Sequence, residues 1–441
     1  MKIYRELGER VDRAFERAGR DVRSFARIAA DALHDAHIPE RSGPDDVLAW
    51  VFAASELPPQ NDLAEAFGEP PITVYRGRDF HVEVLFWLRT VTTVHGHGFS
   101  GAFQALSGER LQTRHAFVPA TQAEAAAKAE VAPNAETAAP AEVLTGEVRH
   151  LGGEVLTGEV RHLGGEVLTP GDVVEINRDL VHAVVHLEEP SATIVVRTGS
   201  DPDAGPQLDL RAPWLAHDPF HTAEARLRKV QALRLLCQTD EPRALARAVD
   251  LLARADLATT LDVLDLTYRT FGTEAHIAPL LDAARAHHGP ALTAKLLDVL
   301  REDRRLRAAQ SLRRTTPDPS ARFFLALLHH VPTRDDMLPL IAARFPGADP
   351  IGLIERFLDD VSGTSRAGVD TADPLTRALL HAMLRADTPE AIRRHLARTF
   401  DRRQIEARAP DLDRHADRIR NTVLGPLFRT RAPRAPTGDR P

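Results

Sequence analysis

The stretch Val94-His95-Gly96-His97-Gly98-Phe99-Ser100-Gly101 places two histidines one residue apart, after an apolar run and ahead of a turn. Side chains in a β-strand alternate between the two faces, so His95 and His97 are expected to project to the same side. Imidazole nitrogens bind iron, zinc, copper and nickel. The stretch therefore predicts half of a metal site, and Gly96, Gly98 and Gly101 predict open space around it.

Alternating apolar residues on both sides of this stretch predict a β-domain. Ile72 and Val74, and then the run 80–88, alternate with polar residues around a turn at 76–79. Further short apolar runs are 99–106, 111–117, 173–177, 180–187 and 192–198. Short strands with Gly and Pro turns between them are typical of a barrel or a sandwich, which we expect to span about residues 70–200.

Two insertions interrupt this β-domain. Residues 120–141 are mostly Ala, Glu, Thr, Asn and Pro, and have too little apolar surface to fold alone. Residues 142–153 are repeated identically at 154–165, and a third partial copy begins at Glu166. Each copy is expected to form a strand, a turn and a strand. Because a solenoid needs at least three repeats, we interpret 142–165 as one duplicated β-loop, which also explains the recurrence of His150 as His162.

Helical periodicity surrounds the β-domain. Residues 1–67 and 217–430 repeat apolar residues at steps of three and four, and residues 431–441 contain three prolines and are expected to be a disordered tail. The predicted fold class is therefore a multidomain α+β protein with an N-terminal helical segment, a β-barrel and an all-α C-terminal domain.

Composition excludes several classes of protein. A net charge of -7 and a pI near 6.3 argue against nucleic-acid binding, which needs a basic surface. No apolar run approaches a membrane span, and the charged N-terminus lacks the apolar core of a signal peptide. The single cysteine, Cys237, excludes an internal disulfide. We expect a cytoplasmic protein with no membrane and no nucleic-acid partner.

A third ligand is expected from a strand beyond the insertions. His182 follows the Gly171-Asp172 turn and lies where a loop enters a strand. His186 is four residues further along and would share a strand face with His182. His186 is the alternative third ligand, or a residue that contacts the ligands without binding the metal itself.

These residues resemble the cupin superfamily, and within it most closely the cysteine dioxygenase group of thiol dioxygenases, over about residues 70–200. The points of likeness are Tyr75-Arg76, the strand from Phe80 to Trp87, the His95-Gly96-His97 motif, Leu106-Ser107-Gly108, and Ile176-Asn177 leading to His182 and Pro190. The general cupin motif has a glutamate ligand after its histidine pair. Residues 98–104 contain none, and the three-histidine set of thiol dioxygenases lacks it as well.

The resemblance implies a double-stranded β-helix barrel with a mononuclear non-haem Fe(II) centre on His95, His97 and His182. It also implies that Arg76, or failing that Arg78, holds a substrate carboxylate, a role to which the bidentate guanidinium is suited. An arginine exposed in a hairpin turn is the other interpretation of either residue.

The chain departs from this group at the last strand of the barrel. There the thiol dioxygenases carry a His and a Tyr that support the chemistry, and the matching positions here are Val195 and Arg197. Arg197 is expected either to bind an anion or to form a structural salt bridge. The departure weakens the inference from the group to oxidation of free cysteine.

Three functional hypotheses follow. The first is a dioxygenase-like oxidoreductase that acts on a small or carrier-presented molecule with a carboxylate, with Arg76, His186 and Arg197 as the candidate catalytic residues. The second is a non-catalytic ligand-binding cupin whose helical domain docks a protein partner. The third is a cupin isomerase or hydrolase that uses another divalent metal such as zinc or nickel.

Overall fold

The computed structural model describes most of the chain. The described residues are 1–61, 63, 67–88, 91–120, 155–204, 207–219, 223–362, 367–369 and 373–431. Except at their edges, the insertion at 120–141, the first copy of the repeat and the tail at 431–441 lie outside them. The chain divides into two compact units. One spans Met1–Leu163 and Leu168–Arg304, and the other spans Gly164–Val167 and Arg305–Pro441. The domain boundaries expected from the sequence stay predictions.

The β-structure forms one open sheet and one closed barrel. The strands of the described chain are β1 (Pro71–Arg76), β2 (Phe80–Trp87), β3 (Val94–His95), β4 (Gly101–Ser107), β5 (Arg110–Pro119), β6 (Leu156–Leu168), β7 (Val173–Ile176), β8 (Val181–His186), β9 (Ser191–Thr198), β10 (Asp209–Arg211) and β11 (Leu215–His217). The open sheet has the order β1-β2-β9-β4-β7, and the six-stranded barrel has the order β10-β11-β6-β5-β8-β3. The α+β class is confirmed.

The two faces of the open sheet have different surroundings. On β2, Val82 and Val84 belong to a core shared with the N-terminal helices, whereas Glu83 and Leu85 line a cavity on the other face. All eight residues of β2 are buried. Side chains along this strand therefore alternate between a face covered by helices and a face that lines the cavity. Neither face meets bulk solvent.

The N-terminal helices cover the outer face of this sheet. They are α1 (Lys2–Arg17), α2 (Val22–Ala36), α3 (Ile38–Arg41) and α4 (Pro44–Ala53). Asp21 caps α2 by accepting a hydrogen bond from the backbone N–H of Arg23 at 3.1 Å. Phe25 of α2 lies edge-on to Phe15 at 4.8 Å between ring centroids, and 5.6 Å from Phe80 of β2. Burying a phenylalanine contributes about 1.5–3 kcal/mol to the free energy of folding, so this cluster stabilises the packing of the helices on the sheet.

The barrel contains two strands that the sequence analysis did not identify. These are β10 and β11, and β10 closes the barrel by pairing with β3, where Asp209 lies opposite His95. The expectation of a strand, a turn and a strand in each copy of the repeat is wrong for the second copy, because its residues 156–165 belong to the single strand β6. A Cβ at Gly158 would lie 2.5 Å from the carbonyl oxygen of Val118. The glycine therefore allows β6 to approach β5 closely.

Helices follow the barrel. They are α5 (Glu224–Thr239), α6 (Glu241–Leu252), α7 (Leu257–Phe271), α8 (Ala278–His288), α9 (Pro290–Arg314), α10 (Pro319–His330), α11 (Arg334–Arg344), α12 (Pro350–Ser362), α13 (Pro374–Arg385), α14 (Pro389–Leu396), α15 (Arg402–Ala407) and α16 (Ala409–Arg420), with a 3₁₀ turn at Gly425–Phe428. Several begin with a capping residue and a proline, as at Asp318 and Pro319. In the described part of the chain, no helix is both long and apolar enough to cross a membrane.

Candidate metal centre

Three histidines meet at the junction of β3 and β8. His95 is the last residue of β3 and lies directly opposite His182 of β8. His97 lies two residues beyond the end of β3, where the backbone N–H of Gly96 donates to the carbonyl of Leu208 at 2.9 Å. The structure therefore brings together the three histidines that were predicted from the sequence. Of the two histidines in the His-Gly-His motif, His95 belongs to a strand and His97 does not.

The ligand atoms of these side chains converge. One nitrogen from each ring lies within 4.8 Å of the corresponding atoms of the other two. His97 Nε2 and His182 Nε2 are 3.0 Å apart. The three side chains are 3–6% exposed. All members of this group are histidines, and no carboxylate of the described residues joins it.

Hydrogen bonds at the back of two rings fix which nitrogen faces the centre. His95 Nδ1 donates to the carbonyl oxygen of Thr93 at 2.9 Å, and His182 Nδ1 donates to Gln112 Oε1 at 3.1 Å. The proton of each neutral ring therefore lies on Nδ1, and the lone pair lies on Nε2. Among the described residues, His95 Nε2 and His97 Nδ1 are buried without a hydrogen-bond partner.

Burial also keeps the rings uncharged. It lowers the pKa of His95, and lowers the pKa values of His97 and His182 well below the usual range, with the neighbouring imidazoles adding to the effect on the last two. Neutral imidazole is the form that ligates a metal. Convergent lone pairs and buried nitrogens without partners fit a transition-metal ion, so this group has the composition and geometry to bind one.

The histidines line one end of a cavity of about 640 Å³. Residues of both the open sheet and the barrel form its walls. The apolar part of the lining includes Leu85, Phe103, Ile176, Val184 and Val195. Phe103 lies 5.8 Å from the His182 ring, and Phe99 lies 4.8 Å from the His97 ring. A cavity of this size, mostly apolar and with a few polar groups, is typical of a small-molecule site.

A partly buried ion pair lies at the histidine end. Arg197 Nε donates to Glu83 Oε2 at 3.0 Å, and the guanidinium lies 4.8 Å above the Phe99 ring. Asn61 also donates to Glu83 at 2.8 Å. Burial alone would raise the pKa of Glu83, but the hydrogen bond from His81 and the charge of Arg197 lower this pKa to about 2. The structure thus places the candidate residue Arg197 in the cavity wall, in a salt bridge.

His186 lies toward the other end of the cavity. Its ring stacks on Trp87 at 4.8 Å between centroids, and its Nδ1 is 2.8 Å from Ser191 Oγ. It is not part of the three-histidine group. Arg110, directly opposite His186 on β5, is 1% exposed and also lines the cavity.

Arg76 is not brought to the cavity. It is the exposed last residue of β1, and its guanidinium donates to the side chain of Asn61 and to the carbonyl oxygen of Pro59. Arg78, the alternative anchor, forms a weak surface pair with Asp79 at 3.9 Å. Neither side chain is in a position to hold a ligand beside the three histidines.

Four residues of the site were missed by sequence reasoning: Glu83, Arg110, Gln112 and Asp209. Each is a polar residue on a strand, and such a residue is usually interpreted as facing solvent. For Glu83 and Gln112, alternation with apolar residues predicts a strand but does not tell whether the polar face of that strand meets solvent or a cavity. Asp209 has not even this signal, because its strand was not predicted.

No protein-family model matches the chain, and no curated protein matches it. Among solved structures, the chain is similar to hydroquinone 1,2-dioxygenase from Sphingomonas sp. TTNP3 with 4-hydroxybenzoate bound. The match has 15% identity and a TM-score of 0.19, and covers 31% of this chain and 70% of that one. At this TM-score, nothing about the ligand or activity of this chain follows from the likeness.

Proposed function

We propose that the chain is a metal-dependent cupin of the thiol dioxygenase type, which oxidises a small carboxylate-bearing molecule at an Fe(II) centre held by His95, His97 and His182. The observation that carries the proposal is the convergence of three neutral imidazoles, without a carboxylate ligand, on the wall of an apolar cavity. Three protein ligands leave open positions on a metal ion for substrate and dioxygen.

The residues behind the ligands support this role. Thr93 and Gln112 hold two rings with their lone pairs toward the centre, as expected of groups that orient metal ligands. When bound, Fe(II) would supply the binding and activation of dioxygen next to the substrate. Phe99 and Phe103 line the same end of the cavity and give the space around the histidines an apolar wall.

Arg197 is proposed to contact the substrate from the histidine end. Glu83 and the Phe99 ring hold the guanidinium in place, so its orientation does not depend on a ligand. His186 is proposed to support the substrate from the other end. The exposed position of Arg76 gives no support to the anchoring role expected for it.

A non-catalytic ligand-binding cupin is the second candidate. It is favoured by the pairing of Arg197 with Glu83 and by the absence of tyrosine from the described lining of the cavity. In this case the helices beyond the barrel are proposed to dock a protein partner.

Metal content tests the first step. The full chain is expressed in iron-supplemented medium, and its metals are measured after purification. About one equivalent of a transition metal is expected in the wild type and less than about a tenth in His95→Ala, because two imidazoles do not hold the ion tightly. His330→Ala is the matched control, since His330 is a buried histidine of α10 outside the group. A wild type without metal, or with metal unchanged in His95→Ala, contradicts the proposal.

Oxygen uptake distinguishes the candidates. The apoprotein is reconstituted anaerobically with Fe(II), and oxygen consumption is followed with thiol and apolar carboxylates. Uptake that requires both the substrate and His95 supports the oxygenase. Ligand binding without any turnover supports the binding protein instead, and turnover without oxygen consumption supports an isomerase or hydrolase.

A further inference from the structure

The far end of the cavity contains a buried positive charge without a counter-ion. Arg110 is 1% exposed, and among the described residues no carboxylate forms an ion pair with it. Among the described residues, the carboxylates that line the cavity are those of Glu69, Glu83 and Asp209, and Glu83 is already paired with Arg197. Because a buried charge is costly unless it is paired, the position of Arg110 calls for an anion.

The protein groups around Arg110 satisfy only part of its guanidinium. Nη2 donates to the carbonyl oxygens of Ser107, Gly108 and Ala192, and Nη1 donates to Thr193 Oγ1. These acceptors are all neutral. Nε is buried and has no hydrogen-bond partner among the described residues. Burial lowers the pKa of Arg110 to about 10, so the side chain still carries its charge at neutral pH.

The position of this charge relative to the histidines follows from the strand register. On β8, Val184 pairs with Gln112 of β5, and His186 pairs with Arg110. His182, Val184 and His186 are alternate residues of β8, so their side chains lie on one face of that strand. All three line the cavity. Four residues of strand place His182 and His186 about 13 Å apart along β8. The cavity thus has the histidines at one end and Arg110 at the other.

The wall between the two ends is mainly apolar. Leu85, Val184 and Val195 line it, and the Trp87 ring covers His186 beside Arg110. An amino acid with its carboxylate next to the reacting atom would leave the charge of Arg110 unmatched. An elongated molecule with an apolar middle and an anionic group at one end would match both the wall and the charge.

We propose that the end of the cavity formed by Arg110, His186 and Trp87 is a subsite for the anionic group of an elongated ligand whose other end lies against the three histidines. The anionic group is a carboxylate or a phosphate, both of which guanidinium binds strongly. As a statement about the substrate, this inference rests on the proposed function. As a statement about binding, it is independent of any metal.

Binding to metal-free protein tests the subsite. The probes are phenylacetate, phenylbutyrate, their neutral amides and phenylbutyl phosphate, titrated by calorimetry into chelator-treated full-length protein. An anion is expected to bind at least about tenfold more tightly than the matched amide. The longer phenylbutyrate is expected to bind more tightly than phenylacetate. Preference for the phosphate assigns the head group as phosphate, and preference for the carboxylate assigns it as carboxylate.

Variants locate the binding. In Arg110→Gln the discrimination between anion and amide should disappear, whereas Arg78→Gln, an exposed arginine in the turn between β1 and β2, should behave as the wild type. Quenching of tryptophan fluorescence by the ligand should be lost in Trp87→Phe, which reports binding at this end even if Arg110→Gln does not fold. Equal binding of anion and amide in the wild type, or quenching unchanged in Trp87→Phe, overturns the proposal. Because no metal is present, either failure leaves the Fe(II) proposal standing.

Discussion

Arg197 Nε lies 3.0 Å from Glu83 Oε2, and the two side chains join β9 to β2 across the inner face of the open sheet. In this ion pair each side chain neutralises the charge of the other in the wall of the cavity. Breaking such a pair leaves an uncompensated charge in the wall, so the pair governs both the stability of the sheet and the electrostatics of the cavity.

The acid stability of the protein should depend on Glu83. Its pKa is about 2 in the folded chain against an ordinary value of 4.5, so the carboxylate stabilises the fold above pH 4.5 and this contribution is lost as the pH falls toward 2. The stability difference between the wild type and Glu83→Gln should shrink by roughly 3 kcal/mol over that window. Urea unfolding at a series of pH values measures it.

Glu188→Gln is the control for this prediction, because Glu188 is exposed in a turn. Its unfolding curve should shift with pH in parallel with the wild type. A difference between Glu83→Gln and the wild type that stays constant from pH 5 to pH 2 would show that the carboxylate is not held by its partners.

Metal affinity should depend on Gln112, which touches no metal. Its Oε1 accepts the Nδ1 proton of His182 and so fixes the orientation and the tautomer of the ligand. Gln112→Leu should weaken metal binding by about 10–100-fold, the usual effect of losing a group that orients a ligand. Competition with a chromophoric chelator for Co(II) or Zn(II) gives the affinity.

Gln104→Leu provides the matched control. Gln104 is also a buried glutamine on a strand, but it donates to the carbonyl of Gly171, away from the histidines. Equal losses of affinity in the two variants would mean that general loosening of the β-structure, and not the hydrogen bond to His182, is responsible.

Seven of the strands (β1, β2, β4, β5, β7, β8 and β9) and the three histidines were predictable from the sequence for a local reason. Alternation of apolar residues along β2 and the spacing of His95 and His97 are properties of a few adjacent residues. His182 was identified from the turn that precedes it. None of these features needs knowledge of the strand partners.

The rest of the site depends on contacts between distant segments. Sequence alternation does not tell whether the polar face of β2 meets solvent or a cavity, and so Glu83 was missed. Arg110 begins a strand after a turn, where an arginine is usually exposed. Its burial results from the approach of β9, whose Ala192 and Thr193 accept its hydrogen bonds. The resemblance pointed instead to Arg76, whose exposed position only the structure reveals.

The attachment of the N-terminal helices should depend on Phe25. Its ring is fully buried between Phe15 and Phe80, so Phe25→Ala leaves a cavity between α2 and the sheet. The expected loss is about 3–5 kcal/mol in the free energy of unfolding. Phe52→Ala is the control, because Phe52 is 88% exposed and its truncation should change stability by less than about 0.5 kcal/mol. Chemical denaturation of the full chain measures both, and equal effects would contradict the packing described for α2.

Gly101 should tolerate no side chain, which corrects the expectation that it leaves open space near the histidines. A Cβ there would lie 2.2 Å from the carbonyl oxygen of Val196 and 2.9 Å from the Cα of Arg197. Both atoms belong to the backbone of β9, so they cannot rotate away, and β4 and β9 must separate instead. Gly101→Ala should therefore destabilise the protein by about 1–3 kcal/mol or more.

The same displacement should reach the cavity, because Arg197 carries the ion pair with Glu83. Gly101→Ala is thus expected to lose part of the acid-dependent stability assigned to Glu83, in addition to its overall destabilisation. Gly199→Ala serves as the control, since a Cβ at Gly199 meets no atom within 4 Å. Urea unfolding at neutral and acid pH separates the two effects. If Gly101→Ala is destabilised equally at both, the strands separate without moving Arg197 from Glu83, and the coupling between this glycine and the cavity is wrong.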